Sequence, residues 1–354
     1  MIGSQRHNHM SYFDGESRFI FRGGLALLCR PGLPQNSVDQ EDTMKSHRVA
    51  GGGGAELNVV ECGNPQGRAI WFLHGASQCS LQWSRQMDSG LVGNNRLIAM
   101  DLRGHGRSAK PRDAYNDSKL WADDVHAVME TLDLDHAVLC GWSYGPLVFL
   151  DYIRHYGEDR IGGLHFIGAV TKLGSEDAMS VLTPELLGIF GDFLSSDAVA
   201  SIRGSKGLLR LCYPKELAAS EQSLMLEYNL SVPPYVRQGL FSRSLSNDDL
   251  LPKIRKPVLI THGVADAIVK PAAVEKHKSL MPHAQVHMMA HVGHAAFWDD
   301  ATAFNKRLHV FGQGLLNRAT QRAVEDPRLD PLAALGERTN ASAPRHNIRF
   351  FGPR

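Results

Sequence analysis

Six short apolar runs alternate with segments of helical periodicity along the middle of the chain. The runs are residues 69–75, 96–101, 136–142, 163–170, 257–263 and 285–291. Their apolar residues are nearly continuous, as in Trp71-Phe72-Leu73, which indicates strands that are covered on both faces. Such strands are typical of a parallel sheet between two layers of helices. The sequence therefore predicts an α/β fold with a mostly parallel, doubly covered sheet.

The same pattern divides the 354 residues into five segments, which are 1–43, 44–170, 171–251, 252–316 and 317–354. The first is polar and aperiodic, so we expect a disordered extension, with Met44 as an alternative natural start. The second and fourth contain the apolar runs and form the two parts of the core. The third consists of helical pieces separated by glycine and proline, which predicts an inserted helical cap. The fifth is charged and lacks periodicity, which predicts a mobile tail.

Charge and apolar content argue against two classes of partner. The chain has 38 Lys and Arg against 37 Asp and Glu, a formal net charge of +1, so no basic excess favours a nucleic acid. No stretch approaches the roughly 18 uninterrupted apolar residues of a membrane-spanning helix, and we expect no membrane partner. The composition does not determine the oligomeric state.

Cysteine usage and the absence of an export signal predict a cytoplasmic location. The five cysteines are odd in number and include no C-x-x-C pair, which favours a reduced compartment over a disulfide framework. Residues 19–32 come nearest to an export signal, but Arg22 interrupts them and no small-residue cleavage site follows.

Ser143 lies in the stretch Gly141-Trp142-Ser143-Tyr144-Gly145, between an apolar run and the start of a helical pattern. A serine at such a strand-to-helix turn takes a strained backbone conformation that raises its hydroxyl above the sheet, and the flanking glycines provide clearance. This setting predicts a nucleophile elbow, with Ser143 as the catalytic nucleophile.

A serine hydroxyl needs a base to take its proton and a carboxylate to orient that base. Asp266 and His294 each follow a predicted strand further along the chain, in the order Ser, Asp, His. That order is the one expected of an α/β-hydrolase triad. Asp266 is therefore the predicted acid and His294 the predicted base, with Asp299 and Asp300 as alternative carboxylates.

Attack on an ester carbonyl creates an oxyanion, which requires hydrogen-bond donors that already point at it. The stretch Phe-Leu-His-Gly-Ala-Ser at residues 72–77 follows the first long strand. We expect the backbone amides of Ala76 and Tyr144 to form the oxyanion hole. His74 is expected to support this loop and not to transfer protons.

Four histidines near the end of the core, His283, His287, His291 and His294, invite a metal interpretation. In a strand, His287 and His291 would face the same side but lie roughly 13 Å apart, too far to share one ion. We therefore predict no metal site and no cofactor.

Aromatic residues flank the predicted catalytic groups and are candidates for the substrate pocket. They are Trp142, Tyr144, Phe297 and Trp298. Aromatic residues beside buried strands also occur as plain core, so both interpretations stay open.

These segments, together with Asp-Leu-Arg-Gly-His-Gly-Arg-Ser at 101–108, resemble the α/β-hydrolase superfamily across roughly residues 50–315. Within it the chain looks most like small bacterial esterases and cofactor-free haloperoxidases or perhydrolases. The resemblance implies the triad Ser143, Asp266 and His294, and a structural role for 101–108. Dehalogenase and epoxide hydrolase relatives carry aspartate in place of Ser143, which argues against those activities.

The residues and the resemblance together predict a carboxylesterase-type serine hydrolase that cleaves small-molecule esters through an acyl-enzyme. A perhydrolase or a carbon–carbon bond hydrolase would use the same triad, and both remain alternatives. A ligand receptor on a hydrolase scaffold is the non-enzymatic alternative.

Overall fold

The structure is a computed structural model that describes residues 44–317 in full and the backbone of 318–325. The predicted N-terminal extension, residues 1–43, lies outside the described residues. The same holds for residues 326–354 of the predicted tail.

Eight of the strands form one sheet, in the order β1-β2-β4-β3-β5-β6-β9-β10. The ten strands within residues 44–325 are β1 Lys45–Ala50, β2 Glu56–Gly63, β3 Arg68–Leu73, β4 Asn95–Met100, β5 Ala137–Trp142, β6 Ile161–Ile167, β7 Lys172–Leu173, β8 Leu245–Ser246, β9 Val258–Gly263 and β10 Gln285–Met289. Strand β2 is antiparallel to β1 and β4, and the other pairs are parallel. All six predicted apolar runs contain strands of this sheet, which confirms the mostly parallel architecture.

The helices connect the strands and cover the sheet. They are α1 Ser84–Met87, α2 Ser118–Thr131, α3 Gly145–Tyr156, α4 Glu176–Ser180, α5 Pro184–Phe193, α6 Ala198–Cys212, α7 Ala219–Leu230, α8 Pro234–Phe241, α9 Ala272–Leu280, α10 Ala296–Asp299 and α11 Ala301–Glu325. No helix within residues 44–325 is both long enough and apolar enough to cross a bilayer.

The two faces of the sheet are buried in two separate hydrophobic clusters. In β5, Leu139 joins one cluster with side chains of α2 and α3, whereas Cys140 joins the other with side chains of α10 and α11. Successive residues of a strand point to opposite faces, so a strand that is covered on both sides must be apolar at nearly every position. This requirement explains the continuous apolar runs.

Helices α4–α8 lie between β6 and β9, in the segment predicted to be a cap, and we call them the cap. The short strands β7 and β8 pair antiparallel at its two ends, with Lys172 opposite Ser246 and Leu173 opposite Leu245. This pairing brings the entry and the exit of the cap together.

Helix α11 continues to Glu325, past the boundary at residue 316 where the tail was predicted to begin. Residues 317–325 include Ala, Arg, Gln and Glu, which favour helix without an apolar stripe. The predicted boundary relied on the apolar stripe alone, which ends before the helix does.

Candidate active site

Ser143 occupies the sharp turn between β5 and α3. Its φ is 56°, in the left-handed region that costs energy for a residue with a side chain. Two hydrogen bonds hold this backbone, because Ser143 N donates to Ile167 O at 2.9 Å and Val170 N donates to Ser143 O at 2.9 Å. The serine is thus placed in a strained conformation at the carboxyl end of a central strand.

The two glycines of the elbow are required by close backbone contacts. A Cβ at Gly141 would lie 2.7 Å from Pro146 N, and a Cβ at Gly145 would lie 2.7 Å from Leu73 O. Both distances are too short for real side chains. The turn therefore accepts only glycine on either side of the serine, as the sequence pattern predicted.

His294 and Asp266 form a buried hydrogen-bonded pair. The Nδ1 atom of His294 lies 2.8 Å from Asp266 Oδ2, and the residues are 2% and 6% exposed. The other carboxylate oxygen, Oδ1, accepts from Ile268 N at 2.8 Å and Val269 N at 2.9 Å. Because Nδ1 donates to the carboxylate, Nε2 of His294 is left as the basic nitrogen.

The two alternative carboxylates have other partners. Asp299 Oδ2 accepts from Gly293 N at 2.7 Å, and Asp300 Oδ1 accepts from Ala303 N at 3.0 Å at the start of α11. Asp299 therefore supports the backbone beside His294, and Asp300 supports a helix terminus.

The surroundings of Asp266 keep its carboxylate ionised. Burial by itself raises its pKa, but the charge and hydrogen bond of His294, with His262 and the Val269 amide, hold the pKa below its usual value. His262 Nε2 lies 3.3 Å from Asp266 Oδ2 and 2.9 Å from Val269 O, and burial lowers the pKa of this imidazole. A charged carboxylate is thus available to stabilise a protonated His294.

Gly168 contacts the Asp–His pair, and the sequence reasoning missed it. Its φ is 48°, and a Cβ there would lie 3.0 Å from His294 Nδ1 and 3.3 Å from Asp266 Oδ2. The available signal was a glycine inside the apolar run 163–170, directly after the residues that form β6.

The predicted oxyanion loop passes directly over the nucleophile. A Cβ at Gly75 would lie 2.9 Å from Ser143 Cβ, so this approach also requires glycine. Among the described residues, no group accepts a hydrogen bond from the amide of Ala76 or of Tyr144. Both residues line the same cavity as Ser143, which leaves these two donors available there.

Two buried histidines fix this loop. His74 Nε2 accepts from Leu102 N at 3.0 Å, so its Nδ1 donates to Gly75 O at 2.8 Å. His105 Nε2 accepts from Ser77 N at 3.1 Å. Burial lowers the pKa of both imidazoles, so both are neutral and serve as supports for the loop.

Residues 101–108 make structural hydrogen bonds. Asp101 accepts from Ser80 N at 2.6 Å and from Arg107 N at 2.9 Å. Arg103 forms a bidentate, fully buried pair with Asp124, with both distances at 2.7 Å. These contacts tie the loop after β4 to the oxyanion loop and to α2.

A cavity brings the predicted site residues together, and the empty space there, with the adjoining open solvent included, is about 700 Å³. It is lined by Ser143, His294, Ala76, Tyr144 and Trp142. The hydrogen bonds of the described residues include none between Ser143 Oγ and His294 Nε2, a bond that in many enzymes tightens only when substrate binds. The rest of the lining is mainly apolar and comes largely from the cap, with Leu182, Leu186, Phe190, Phe193, Leu208 and Phe241.

Phe297 and Trp298 lie outside this cavity, unlike the pocket role predicted for them. Helix α10 turns both side chains into the core, where the Phe297 ring lies 4.2 Å from Trp83 and 5.0 Å from Trp142. The Arg85 guanidinium stacks on the Trp298 ring at 4.2 Å. Of the predicted pocket aromatics, Trp142 and Tyr144 line the cavity.

Comparison with known proteins agrees with this architecture. A family model described as the alpha/beta hydrolase fold matches residues 68–301. The solved structure of a putative aryl esterase from Burkholderia cenocepacia is 32% identical, with a TM-score of 0.72, over 77% of this chain and 100% of the other. The esterase RhEst1 from Rhodococcus sp. is 32% identical, with a TM-score of 0.73, over 76% and 99%.

A non-heme chloroperoxidase from Streptomyces lividans is 27% identical over 73% of this chain and 96% of its own length. The match to the family model, at residues 68–301, extends from β3 to the start of α11. It includes every strand that precedes a predicted catalytic residue. The chain belongs to the alpha/beta hydrolase fold family and is a hydrolase.

Proposed function

We propose that this hydrolase cleaves carboxylic esters of small molecules through an acyl-enzyme on Ser143. One observation supports the proposal most strongly. His294, which is paired with buried Asp266 at 2.8 Å, lines the same cavity as a serine in a strained strand-to-helix turn. The solved esterases at 32% identity support the choice of an ester substrate.

In the first half-reaction, Ser143 Oγ attacks the acyl carbonyl carbon while His294 Nε2 takes the hydroxyl proton. The amides of Ala76 and Tyr144 donate hydrogen bonds to the resulting oxyanion. Asp266 holds the imidazole orientation and stabilises its cationic form. The carbon–oxygen bond to the alcohol then breaks, and the alcohol leaves with the proton from His294.

In the second half-reaction, water attacks the acyl-enzyme and gives a proton to His294. The bond to Ser143 Oγ breaks, the serine recovers its proton from His294, and the carboxylic acid leaves. No cofactor is needed in either half, because the same histidine takes and returns each proton.

Initial rates on p-nitrophenyl esters from acetate to palmitate, for the wild type and for Ser143→Ala, test this proposal. We expect turnover that peaks at short acyl chains and falls about 10³-fold or more in the variant. A serine-directed phosphonate should label the wild type and leave Ser143→Ala unlabelled. Full labelling or unchanged turnover of the folded variant would refute the assignment of Ser143.

Perhydrolysis is the second candidate, because one of the matching relatives is named a non-heme chloroperoxidase. Hydrogen peroxide would replace water in the second half-reaction and release a peracid, with the same three catalytic residues. A peroxide-dependent halogenation assay distinguishes the two reactions. Halogenation that exceeds ester hydrolysis and disappears in Ser143→Ala would favour perhydrolysis.

A further inference from the structure

Gln78 lines the catalytic cavity with a side-chain amide that has no protein partner. The residue is 1% exposed, and neither Oε1 nor Nε2 hydrogen bonds to any described group. Its neighbours along the cavity wall include Ala76, Ser143 and His294. Leaving a buried donor and acceptor unpaired destabilises a fold, and native proteins contain few such groups.

The other buried glutamines of this region do use their amides. Gln82 pairs with Tyr213 through Nε2 and with Tyr228 through Oε1. Gln86 Nε2 donates to Phe297 O at 2.9 Å, whereas its Oε1 has no partner among the described groups. Neither of them lines the catalytic cavity. Of these three glutamines, the one that lines the cavity is thus the one with neither carboxamide atom paired.

The backbone on both sides of Gln78 is anchored without help from its side chain. Ser77, with φ 60°, donates from its amide to His105 at 3.1 Å. Gln78 N donates to Gly75 O at 3.3 Å, and Ser80 N donates to Asp101 at 2.6 Å. Backbone hydrogen bonds thus hold the loop in place, and the Gln78 carboxamide makes no hydrogen bond that stabilises it.

The remaining polar lining is already occupied. Lys172 also lines the cavity, but its ammonium pairs with Asp177 and Asp248. The hydroxyl of Tyr144 accepts from Arg243 at 3.1 Å. Apart from the proposed catalytic groups, Gln78 is therefore the lining residue, among those described, with both a free amide donor and a free carbonyl acceptor.

We propose that Gln78 is a substrate-binding residue that selects esters whose acyl part carries a neutral hydroxyl or amide group. This inference rests on the proposed ester hydrolysis. A carboxamide offers a donor and an acceptor side by side, so its complement is a group that both accepts and donates. Gln78 follows Ala76 by two residues, and the Ala76 amide would bind the carbonyl oxygen, so the polar group lies near the ester carbonyl, and we place it on the acyl side.

The cavity also defines the rest of the preferred substrate. Its other walls are apolar, with the cap residues named above and Ile268, so the remainder of the acyl chain is hydrocarbon. A substrate without the polar group leaves the Gln78 amide unpaired and desolvated. Sites built to hydrogen bond a substrate group reject analogues that lack it more strongly than apolar pockets reject a missing methylene.

Two isosteric pairs of phenyl esters test this selection in the full-length protein. Phenyl β-hydroxybutyrate is compared with phenyl isovalerate, and phenyl N-acetylglycinate with phenyl isocaproate. For each pair, the ratio of kcat/KM is measured in the wild type, in Gln78→Met and in Gln222→Met. Gln222 is exposed on α7, away from the cavity, and serves as the matched control.

We expect Gln78→Met to lower the polar-to-apolar ratio of at least one pair by about tenfold or more, with the control at the wild-type ratio. Intrinsic differences in ester reactivity cancel, because each ratio is compared between enzymes. Gln78→Met should also unfold at the same temperature as the wild type or higher, since it removes two unpaired buried atoms.

Ratios that agree within about threefold between wild type and Gln78→Met would overturn the proposal. Failure of both Gln78→Met and Gln78→Leu to fold would also overturn it, because the carboxamide would then be structural. Absence of wild-type turnover on these esters and on the p-nitrophenyl series would instead refute the proposed ester hydrolysis itself.

Discussion

Gly168 shows how a residue without a side chain can control the geometry of the proposed catalytic pair. Its Cα approaches His294 and Asp266 so closely that a single added carbon would contact both. Its positive φ of 48° would also strain any other residue. These two effects, crowding and backbone strain, can be separated by experiment.

We predict that Gly168→Ala lowers kcat about 10²-fold, because a displacement of His294 by a fraction of an ångström misaligns the proton transfer. Gly53→Ala is the matched control, since Gly53 also has a left-handed backbone, with φ 64° and ψ 19°, and lies outside the catalytic cavity. Both variants should lose about 1–2 kcal/mol of unfolding free energy. Equal activity of the two variants would mean that the contact with His294 does not matter.

The assignment of the triad acid gives a second prediction at this scale. Asp266→Asn should lower kcat about 10³–10⁴-fold with little change in KM, because an amide neither orients the imidazole correctly nor stabilises its charge. Asp300→Asn should retain wild-type rates, since asparagine caps a helix as well as aspartate does. Asp299→Asn should have an intermediate effect through the backbone of Gly293. A larger loss in Asp299→Asn than in Asp266→Asn would contradict the assignment.

At the scale of elements, a buried hydrogen-bond network joins the cap to the core. Gln82, in the loop after β3, contacts Tyr213 at the end of α6 and Tyr228 on α7. All three side chains are buried. Arg85 adds a more exposed pair with Glu221 at 3.0 Å. The cap is therefore held over the site by polar contacts as well as by apolar packing.

We predict that Tyr228→Phe lowers the unfolding free energy by about 1–3 kcal/mol, because it leaves Gln82 Oε1 buried without a donor. Tyr152→Phe serves as control, since the hydroxyl of this buried tyrosine on α3 has no hydrogen bond to a described residue. Its effect should stay within about 0.5 kcal/mol. Urea unfolding of both variants measures the difference, and equal stabilities would show that the network is energetically neutral.

At the scale of the whole molecule, buried histidines make stability depend on pH. Burial lowers the pKa of the imidazoles of five buried histidines, His74, His105, His165, His262 and His277. For His277 the value is about 4. The unfolded chain binds a proton at each histidine near pH 6.5, whereas the folded protein binds it only at lower pH. The contribution of these groups to the unfolding free energy is thus fully present above pH 6.5 and is lost as the pH falls towards 4.

We predict that between pH 7.5 and pH 5 the wild type loses about 2 kcal/mol more unfolding free energy than His277→Gln does. The comparison with a single variant is needed because Asp151, whose pKa burial raises to about 6 despite Arg243, acts in the opposite direction. As the pH falls, Asp151 binds its proton in the folded protein before it does in the unfolded chain. The folded protein therefore gains stability from this group as the pH falls. Parallel pH profiles of wild type and His277→Gln would contradict the prediction.

Local patterns were enough to predict the sheet and the elbow. Ser143 was found from the two glycines around it and from the apolar run before it, and both features lie within ten residues of the serine. Asp266 and His294 were found from their positions after strands and from the order along the chain. The structure brings these two together at 2.8 Å, and His294 lines one cavity with Ser143, whereas the catalytic roles remain predictions.

Residues whose role depends on long-range packing were harder to find. Phe297 and Trp298 were predicted to line the pocket because they follow His294 closely, but α10 turns them into the core against Trp83 and Arg85. Gln78 and Gly168 were not singled out at all. Their proposed roles depend on their positions beside segments that are distant in sequence, and no local pattern records such positions.

The sequence by itself determined the α/β architecture, the strand-to-helix turn at Ser143 and the candidate triad, because periodicity and turn chemistry are local properties of the chain. Only the tertiary structure decided which side chains form the cavity wall, which positions have no room for a residue larger than glycine, and which buried side-chain amide stays unpaired. Those properties depend on the orientation of the cap and of α10 on the sheet, and that orientation is set by the packing of the whole molecule.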